Sequence, residues 1–285
     1  MPNWQARAST ELTSPKNPQV QAVRKAAKSG RPTEDGLIVI EGPHLLEEAY
    51  GSSWRVERIF ITPRGLERYA SLLSGTRRGS KQAEIVRVPQ TVFHSISATE
   101  APQDILALVR PKNWDWEDLT RSPGLIVVLD RIQDPGNAGT VVRSAEAFGG
   151  SGVVFLNGSA RISNPKLLRA TAGSVFRIPL LEGIEPIEMI QRLTQWKFAL
   201  FALDAQGTNC VSEADFRQSC AIIAGNEGSG LAEEFRTIAS HISIRTFRVE
   251  SLNTAVACSV ALYEASRQRA AHESIRQQPS LRSAE

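Results

Sequence analysis

Three short segments of this chain gather glycines and polar side chains in patterns that could hold a ligand and act on it. They are Asp134-Pro135-Gly136-Asn137-Ala138-Gly139-Thr140-Val141-Val142-Arg143, Gly225-Asn226-Glu227-Gly228-Ser229-Gly230-Leu231 and Ser251-Leu252-Asn253-Thr254-Ala255-Val256-Ala257. The first two follow short apolar runs of strand type and lead into helical patterns, where backbone N–H groups converge. In the first segment Asn137 stands where it could cap the helix of Val141, Val142, Ala145 and Phe148, leaving Arg143 as a surface charge. Gly139 favours another reading: four residues before Arg143, it lies on the same helix face, so a substrate could reach the backbone beneath the guanidinium. In the second segment the glycines allow a close backbone turn, and a plain strand-turn-helix junction explains them. It does not explain Glu227, a charge at the end of a buried strand. In the third, Ser251 could be a helix cap and Asn253 a first-turn residue ahead of Val256, Val260, Leu262 and Tyr263.

The ordinary nucleotide-binding signatures are missing. The second segment is not Gly-x-Gly-x-x-Gly, no Lys-Ser or Lys-Thr makes it a Walker A loop, and no strand is followed by an acidic residue and Gly-x-Gly. The three cysteines, Cys210, Cys220 and Cys258, show no Cys-x-x-Cys spacing, and four histidines are scattered elsewhere, so neither a disulfide framework nor a metal site is expected. Buried thiols in a reducing cytoplasm are the expectation. No apolar run approaches the roughly 20 residues that span a bilayer, and the N-terminus lacks an apolar signal core, so no membrane role is expected.

The elements that must position the three segments alternate. Val20, Val23 and Ala27 mark a helix, Leu37–Ile40 a strand, Gly42–Ala49 a turn into a helix, and Arg58–Ile61, Val86–Val88 and Ile105–Val109 further strands. From residue 125 the pattern is strands at Leu125–Leu129, Val153–Leu156, Phe198–Leu203, Cys220–Ala224 and His241–Ile244. Helices are expected at Ala138–Phe148, Pro165–Ala172, Leu231–Ser240 and Leu252–Arg269. This α/β alternation implies a mostly parallel sheet covered on both faces. Residues 1–112 form one expected domain, the polar, proline-bracketed stretch 113–123 a linker, residues 124–270 a second domain, and 271–285 a disordered tail.

Net charge is only +3, but the basic residues cluster ahead of the three segments. Arg7, Lys16, Arg24, Lys25, Lys28 and Arg31 form one group, and Arg64, Arg68, Arg77, Arg78, Lys81 and Arg87 another. They read either as solvated faces or as phosphate contacts, with Arg24, Lys25 and Lys28 the candidates for RNA.

In this order and near the C-terminus, the three segments resemble the signature motifs of the SpoU (TrmH-like) RNA 2′-O-ribose methyltransferases, of the knotted SPOUT class. Residues 13–110 resemble the ribosomal-protein-like α/β sandwich that many of these enzymes use for RNA, through Thr13–Pro18, Ile40–Pro43 with Leu46–Ala49, and Ser97–Gln103. The resemblance implies a trefoil-knotted SPOUT domain with a mostly parallel sheet behind that small domain. It implies transfer of a methyl group from S-adenosyl-L-methionine to a ribose 2′-hydroxyl, on rRNA rather than tRNA, by a homodimer with no metal. Carried over by motif, Gly225, Ile244 and Leu252 would bind the cofactor, and Arg143, Asn137, Glu227, Ser251 and Asn253 would form the catalytic set. A guanidinium stays protonated, so Arg143 is read as gripping a phosphate and orienting the hydroxyl while the other four fix it and the ribose.

One stretch departs from the family pattern. Where the family has Ile-Pro-Met and a glycine, this chain reads Ile242-Ser243-Ile244-Arg245-Thr246-Phe247-Arg248-Val249, and Arg245 and Arg248 are candidates for phosphate contact. Two other readings remain: a non-catalytic RNA-binding or ribosome-assembly factor on the same fold, and a base-modifying SPOUT enzyme, which Asn137 and Arg143 argue against.

Overall fold

The structure is a computed structural model that describes residues 10–74, 83–120 and 122–277. Arg7, Arg77, Arg78 and Lys81 of the basic clusters lie outside the described residues, as do residues 278–285 of the expected tail. Contacts divide the chain into two compact units, residues 1–113 with 161–177, and residues 114–160 with 178–285.

The N-terminal unit is built on a sheet of β1 (Thr10–Glu11), β2 (Ile38–Glu41), β3 (Arg55–Ile61), β4 (Glu84–Arg87) and β5 (Ile105–Arg110), in spatial order β1-β4-β3-β5-β2. Its helices are α1 (Pro18–Ser29), α2 (Pro43–Gly51), α3 (Pro63–Arg68), α4 (Ala70–Ser74) and α5 (Gln90–Ile96). The local grammar is plain in α1. Asn17 accepts a hydrogen bond from the Gln19 N–H at 2.9 Å, Pro18 opens the helix, and Gly30 closes it at φ 62°, a left-handed stop that glycine adopts without strain. Val20, Val23, Ala26 and Ala27 then face the core with Phe60, Phe93 and Leu106.

The other unit holds an all-parallel sheet of seven strands: β6 (Leu125–Asp130), β7 (Gly152–Leu156), β8 (Leu180–Ile184), β9 (Ala199–Leu203), β10 (Asn209–Cys210), β11 (Cys220–Gly225) and β12 (Ser240–Ser243). Their order is β10-β12-β9-β11-β6-β7-β8. Every residue of β6 is buried and only Gly225 of β11 is not, as a sheet covered on both faces demands. The helices of this part of the chain are α6 (Pro135–Ala147), α7 (Pro165–Ala170), α8 (Pro186–Gln195), α9 (Glu233–Ile238) and α10 (Thr254–Gln277).

The structure revises several expectations. Asp134, not Asn137, caps α6, accepting from the Asn137 N–H at 2.8 Å, and the helix starts a turn earlier with Pro135. Asn253 caps α10: its Oδ1 accepts from the Ala255 and Val256 N–H groups at 3.0 and 3.3 Å. That helix runs on to Gln277 instead of ending at Arg269. The expected linker is folded, with Leu119 fully buried and Trp116 edge-on to Trp196 at 5.9 Å between centroids. Segment 161–177, expected within the C-terminal domain, packs in the N-terminal unit: Ser163 Oγ donates to the Gly30 carbonyl at 2.7 Å, Phe176 meets Trp54 edge-on at 4.9 Å, and Arg177 pairs with Glu48.

Candidate active site

The site begins with a register. β6 and β11 are neighbours, and their pairing sets Gly225 opposite Asp130, so both strands finish level. The segments that follow them therefore emerge side by side, although Asn137 and Glu227 are 90 residues apart in sequence. Asp130 is fully buried beneath this junction; its carboxylate accepts from Arg131 Nε at 2.8 Å and from the Ala232 N–H. Arg131 also donates to the Gly230 carbonyl at 3.1 Å, and its hydrogen bond to Asp130 pushes its own pKa above the usual guanidinium range. The pair thus ties the strand before the first motif to the turn of the second. An acid next to a cation at the end of an apolar run was the signal for it, and sequence reasoning missed it.

The second motif is a tight turn. Asn226 and Gly230 exchange backbone hydrogen bonds of 3.1 and 2.9 Å, while Asn226 Oδ1 accepts from the Gly228 and Ser229 N–H groups and its Nδ2 donates to the Arg131 carbonyl at 2.9 Å. The turn folds back so closely that a Cβ on Gly225 would stand 2.7 Å from the Gly230 carbonyl carbon and 2.8 Å from the Leu231 nitrogen. No other residue fits there without moving backbone. Glu227 is lifted to the exposed tip of this turn, which corrects the expectation of a charge set at a buried strand end.

Freed from capping duty, the Asn137 side chain joins the other two motifs. Its Nδ2 donates to Glu227 Oε1 at 3.0 Å, and its Oδ1 accepts from Asn253 Nδ2 at 3.1 Å. Asn253 Nδ2 also reaches Glu227 Oε1 at 3.1 Å. One carboxylate oxygen therefore gathers an amide from each flanking motif. Alongside, α6 and α10 touch through Ser144 and Ser259, whose hydroxyls lie 2.7 Å apart, and through the edge contact of Phe148 with Tyr263. Arg143 lies further along α6 than Asn137, exposed, and among the described residues no hydrogen bond joins it to Asn137, Glu227, Ser251 or Asn253. Asn137, Glu227 and Asn253 bond instead to one another, and Ser251 lines a cleft beside them.

That cleft contains about 550 Å³ of empty space counting its open mouth. Gly225, Ile244 and Leu252, the three cofactor candidates, all line it, with Leu203, Ala224, Ile242 and Ala257 as apolar wall and Asp204, Thr246, Glu250, Ser251 and Thr254 as polar points. The mixture of apolar wall and polar points suits a small organic ligand. Asp204 was not foreseen. His241 Nδ1 lies 2.7 Å from Asp204 Oδ2 and its Nε2 lies 3.0 Å from the Arg236 carbonyl. Both partners only accept, so the pair of contacts favours the form of the ring that donates from both nitrogens. The carboxylate accordingly pulls the His241 pKa up, and the imidazole holds that of Asp204 below the ordinary range.

The RNA candidates separate. Arg24 is engaged, its guanidinium donating to the Ser95 carbonyl at 3.1 Å and hydroxyl at 2.7 Å and to the Pro15 carbonyl at 3.1 Å. Lys25 and Lys28 are exposed, Lys25 with Glu34 at 4.0 Å. Arg245 and Arg248 are exposed on the loop that walls the cleft. Cys220 and Cys258 are buried, which pushes their thiols up to about 11 and about 12, whereas Cys210 is half-buried. Among the described residues no three His, Cys, Asp or Glu side chains gather as a metal site, and no helix is long and apolar enough to cross a membrane.

A parallel sheet with an open cleft at the carboxyl ends of its strands is the arrangement in which α/β proteins bind small organic molecules. The SpoU rRNA methylase family matches residues 124–263, and an MRM3-like substrate-binding domain matches residues 17–107. A 23S rRNA (uridine(2479)-2′-O)-methyltransferase of Streptomyces viridochromogenes is 30% identical over 83% of this chain and 85% of its own length. The 23S rRNA (guanosine(2553)-2′-O)-methyltransferase RlmP of Bacillus subtilis is 29% identical over 89% and 98%. Among solved structures, the SpoU methyltransferase AviRb from Streptomyces viridochromogenes, in complex with AdoMet, superposes with a TM-score of 0.80 at 26% identity, covering 90% of this chain and 99% of that one. The chain belongs to the SpoU rRNA methylase family and is an RNA methyltransferase.

Proposed function

We propose that this protein transfers the methyl group of S-adenosyl-L-methionine to a ribose 2′-hydroxyl of ribosomal RNA. The observation that carries the reading is the convergence of all three motifs: Asn137, Glu227 and Asn253 in one hydrogen-bonded network, beside a cleft lined by Gly225, Ile244 and Leu252. The relatives act on a 2′-hydroxyl of 23S rRNA, one at a uridine and one at a guanosine, and a similar structure holds AdoMet. The cleft suits that molecule: the apolar wall accommodates a nucleoside, Gly225 lets the turn of Gly230 and Leu231 close against the strand end that walls the cleft, and Asp204 and Glu250 offer acceptors to hydroxyl or ammonium groups. The cofactor supplies an already activated methyl group.

What remains for the protein is alignment and removal of a proton. Arg143 grips the phosphate next to the target ribose and orients its 2′-hydroxyl, and the proton leaves to phosphate or water. Asn137, Glu227 and Asn253 fix the ends of α6 and α10 that border the ribose, and Ser251 meets it from the cleft rim. Residues 1–113 with 161–177 serve as the RNA-binding unit, with Lys25 and Lys28 on phosphates, and residues 114–160 with 178–285 as the trefoil-knotted catalytic unit. The protein works in the cytoplasm as a homodimer; exposed Val256 and Tyr263, one heptad apart on α10, support a helix-borne contact. Mapping 2′-O-methyl positions in RNA from cells with and without the gene tests the reading. One position should lose its methyl group in the deletion and regain it with the wild-type gene but not with Arg143→Ala. An unchanged map, with no S-adenosylmethionine binding by calorimetry, would favour a non-catalytic RNA-binding factor on this fold.

A further inference from the structure

The loop between β12 and α10 has two faces. Ile244, Thr246, Glu250, Ser251 and Leu252 line the cleft, while Arg245, Phe247, Arg248 and Val249 are exposed. Thr246 Oγ1 donates to the Val249 carbonyl at 2.8 Å, closing a turn with Phe247 and Arg248 at its tip. Arg248 holds that tip at φ 66°, a left-handed conformation that a side chain of its kind seldom adopts. The consequence is the presentation of Phe247, 81% exposed, the most exposed large apolar side chain among the described residues. An exposed apolar ring on a turn that also carries two exposed arginines is a poor seat for a protein partner, which would have to desolvate both charges. It suits a strand of unpaired nucleotides, whose bases offer π-faces and whose phosphates offer anions.

We propose that Phe247 is a stacking platform for an unpaired base of the RNA substrate close to the nucleotide being methylated, with Arg245 and Arg248 holding the flanking phosphates. The proposal rests on the reading of the cleft as the cofactor site of an RNA methyltransferase, because the loop that walls the cleft also carries the ring. It narrows the substrate to RNA that is single-stranded at the target, and makes Phe247 a determinant of specificity.

The test compares the full-length wild-type protein with Phe247→Ala, Phe247→Leu and Phe247→Trp. Binding is measured by fluorescence anisotropy to a labelled single-stranded decaribonucleotide and to an abasic decamer carrying the same number of phosphates. Wild type and Phe247→Trp should prefer the base-bearing strand by roughly tenfold, whereas Phe247→Ala and Phe247→Leu should bind the two alike. Arg245→Ala with Arg248→Ala should weaken both strands equally. Cofactor affinity by calorimetry should stay within a few-fold throughout, reporting an intact loop. Equal binding of the two strands by wild type would overturn the proposal, as would full discrimination by Phe247→Leu. A shift of Phe247→Ala from dimer to monomer in sedimentation, with discrimination retained, would also overturn it and make the occupant a second copy of the chain. Discrimination that follows the ring in a protein that methylates no ribosomal RNA would instead overturn the function proposed above and leave the stacking platform standing.

Discussion

A guanidinium beside a reacting ribose can hold a phosphate, but its pKa bars it from taking a proton at neutral pH. Arg143 is exposed, lies outside the cleft lining and has no bond to the Asn137, Glu227 and Asn253 network among the described residues. Arg143→Ala is therefore expected to abolish methyl transfer while calorimetry finds cofactor affinity within a few-fold of wild type. A variant that methylates at a near-normal rate would remove Arg143 from the mechanism. Gly225 poses the opposite case. A methyl group there meets backbone atoms of Gly230 and Leu231 at 2.7 and 2.8 Å, which cannot swing aside as a side chain could. Gly225→Ala should cost about 1–3 kcal/mol, seen as a lower thermal midpoint, and should weaken cofactor binding because the displaced turn forms the cleft wall. Unchanged midpoint and affinity together would show that the turn can retreat at no cost.

Between elements, the Asp204–His241 pair ties the end of β9 to β12, and the Arg236 carbonyl ties the same ring to α9. The His241 pKa is raised on folding, so its contribution is complete below the ordinary histidine value and is lost as pH rises through the folded one. Asp204 is depressed, so its contribution holds above the ordinary aspartate value and fades as pH falls through the lowered one. The tie is strongest between those limits. His241→Leu should accordingly lower the thermal midpoint more at about pH 5.5 than at about pH 9, with Arg236 nearby slightly opposing the ring's charge. An equal loss at both values would show that the ring acts by packing alone. The same elements mark where the sequence was legible. Continuous apolar runs announced β6, β7, β9 and β11, and the motifs announced the loops after β6 and β11, because local pattern decides both. β8 and α8 went unread: Leu180–Ile184 contains a glycine and is partly exposed, and α8 opens with Pro186 behind Glu185, whose side chain makes no capping hydrogen bond. Asp134 competed with Asn137 for the cap and won because Pro135 fits the first helical position, a choice local spacing left open. The bond from Asn137 to Glu227 depends on which strands are neighbours, and periodicity along one segment carries no such information.

At the scale of the whole molecule, segment 161–177 belongs to the N-terminal unit, so the two units are not consecutive stretches of chain. Deleting residues 1–110 would strip Trp54, Gly30 and Glu48 from that segment and uncover Phe176. None of the cleft-lining residues is removed, so the truncated protein should still bind S-adenosylmethionine, but with a lower thermal midpoint and a tendency to aggregate. A truncated protein as stable as the full chain would show that the segment needs no cover. RNA binding by the N-terminal unit is better tested in the full chain with Lys25→Ala and Lys28→Ala. The slope of log affinity against log salt should become shallower by about 0.7–0.9 for each phosphate that is no longer held, and an unchanged slope would remove this face from RNA recognition. The Asn137–Glu227–Asn253 network has a further consequence for biosynthesis. Two of its bonds span 90 and 116 residues, and the strands that bring its members together are interleaved, not consecutive. Such long-range closure comes late in folding. A ribosome making this protein must therefore release the chain past Asn253 before the site can assemble, so products that terminate ahead of Asn253 lack the third member of the network.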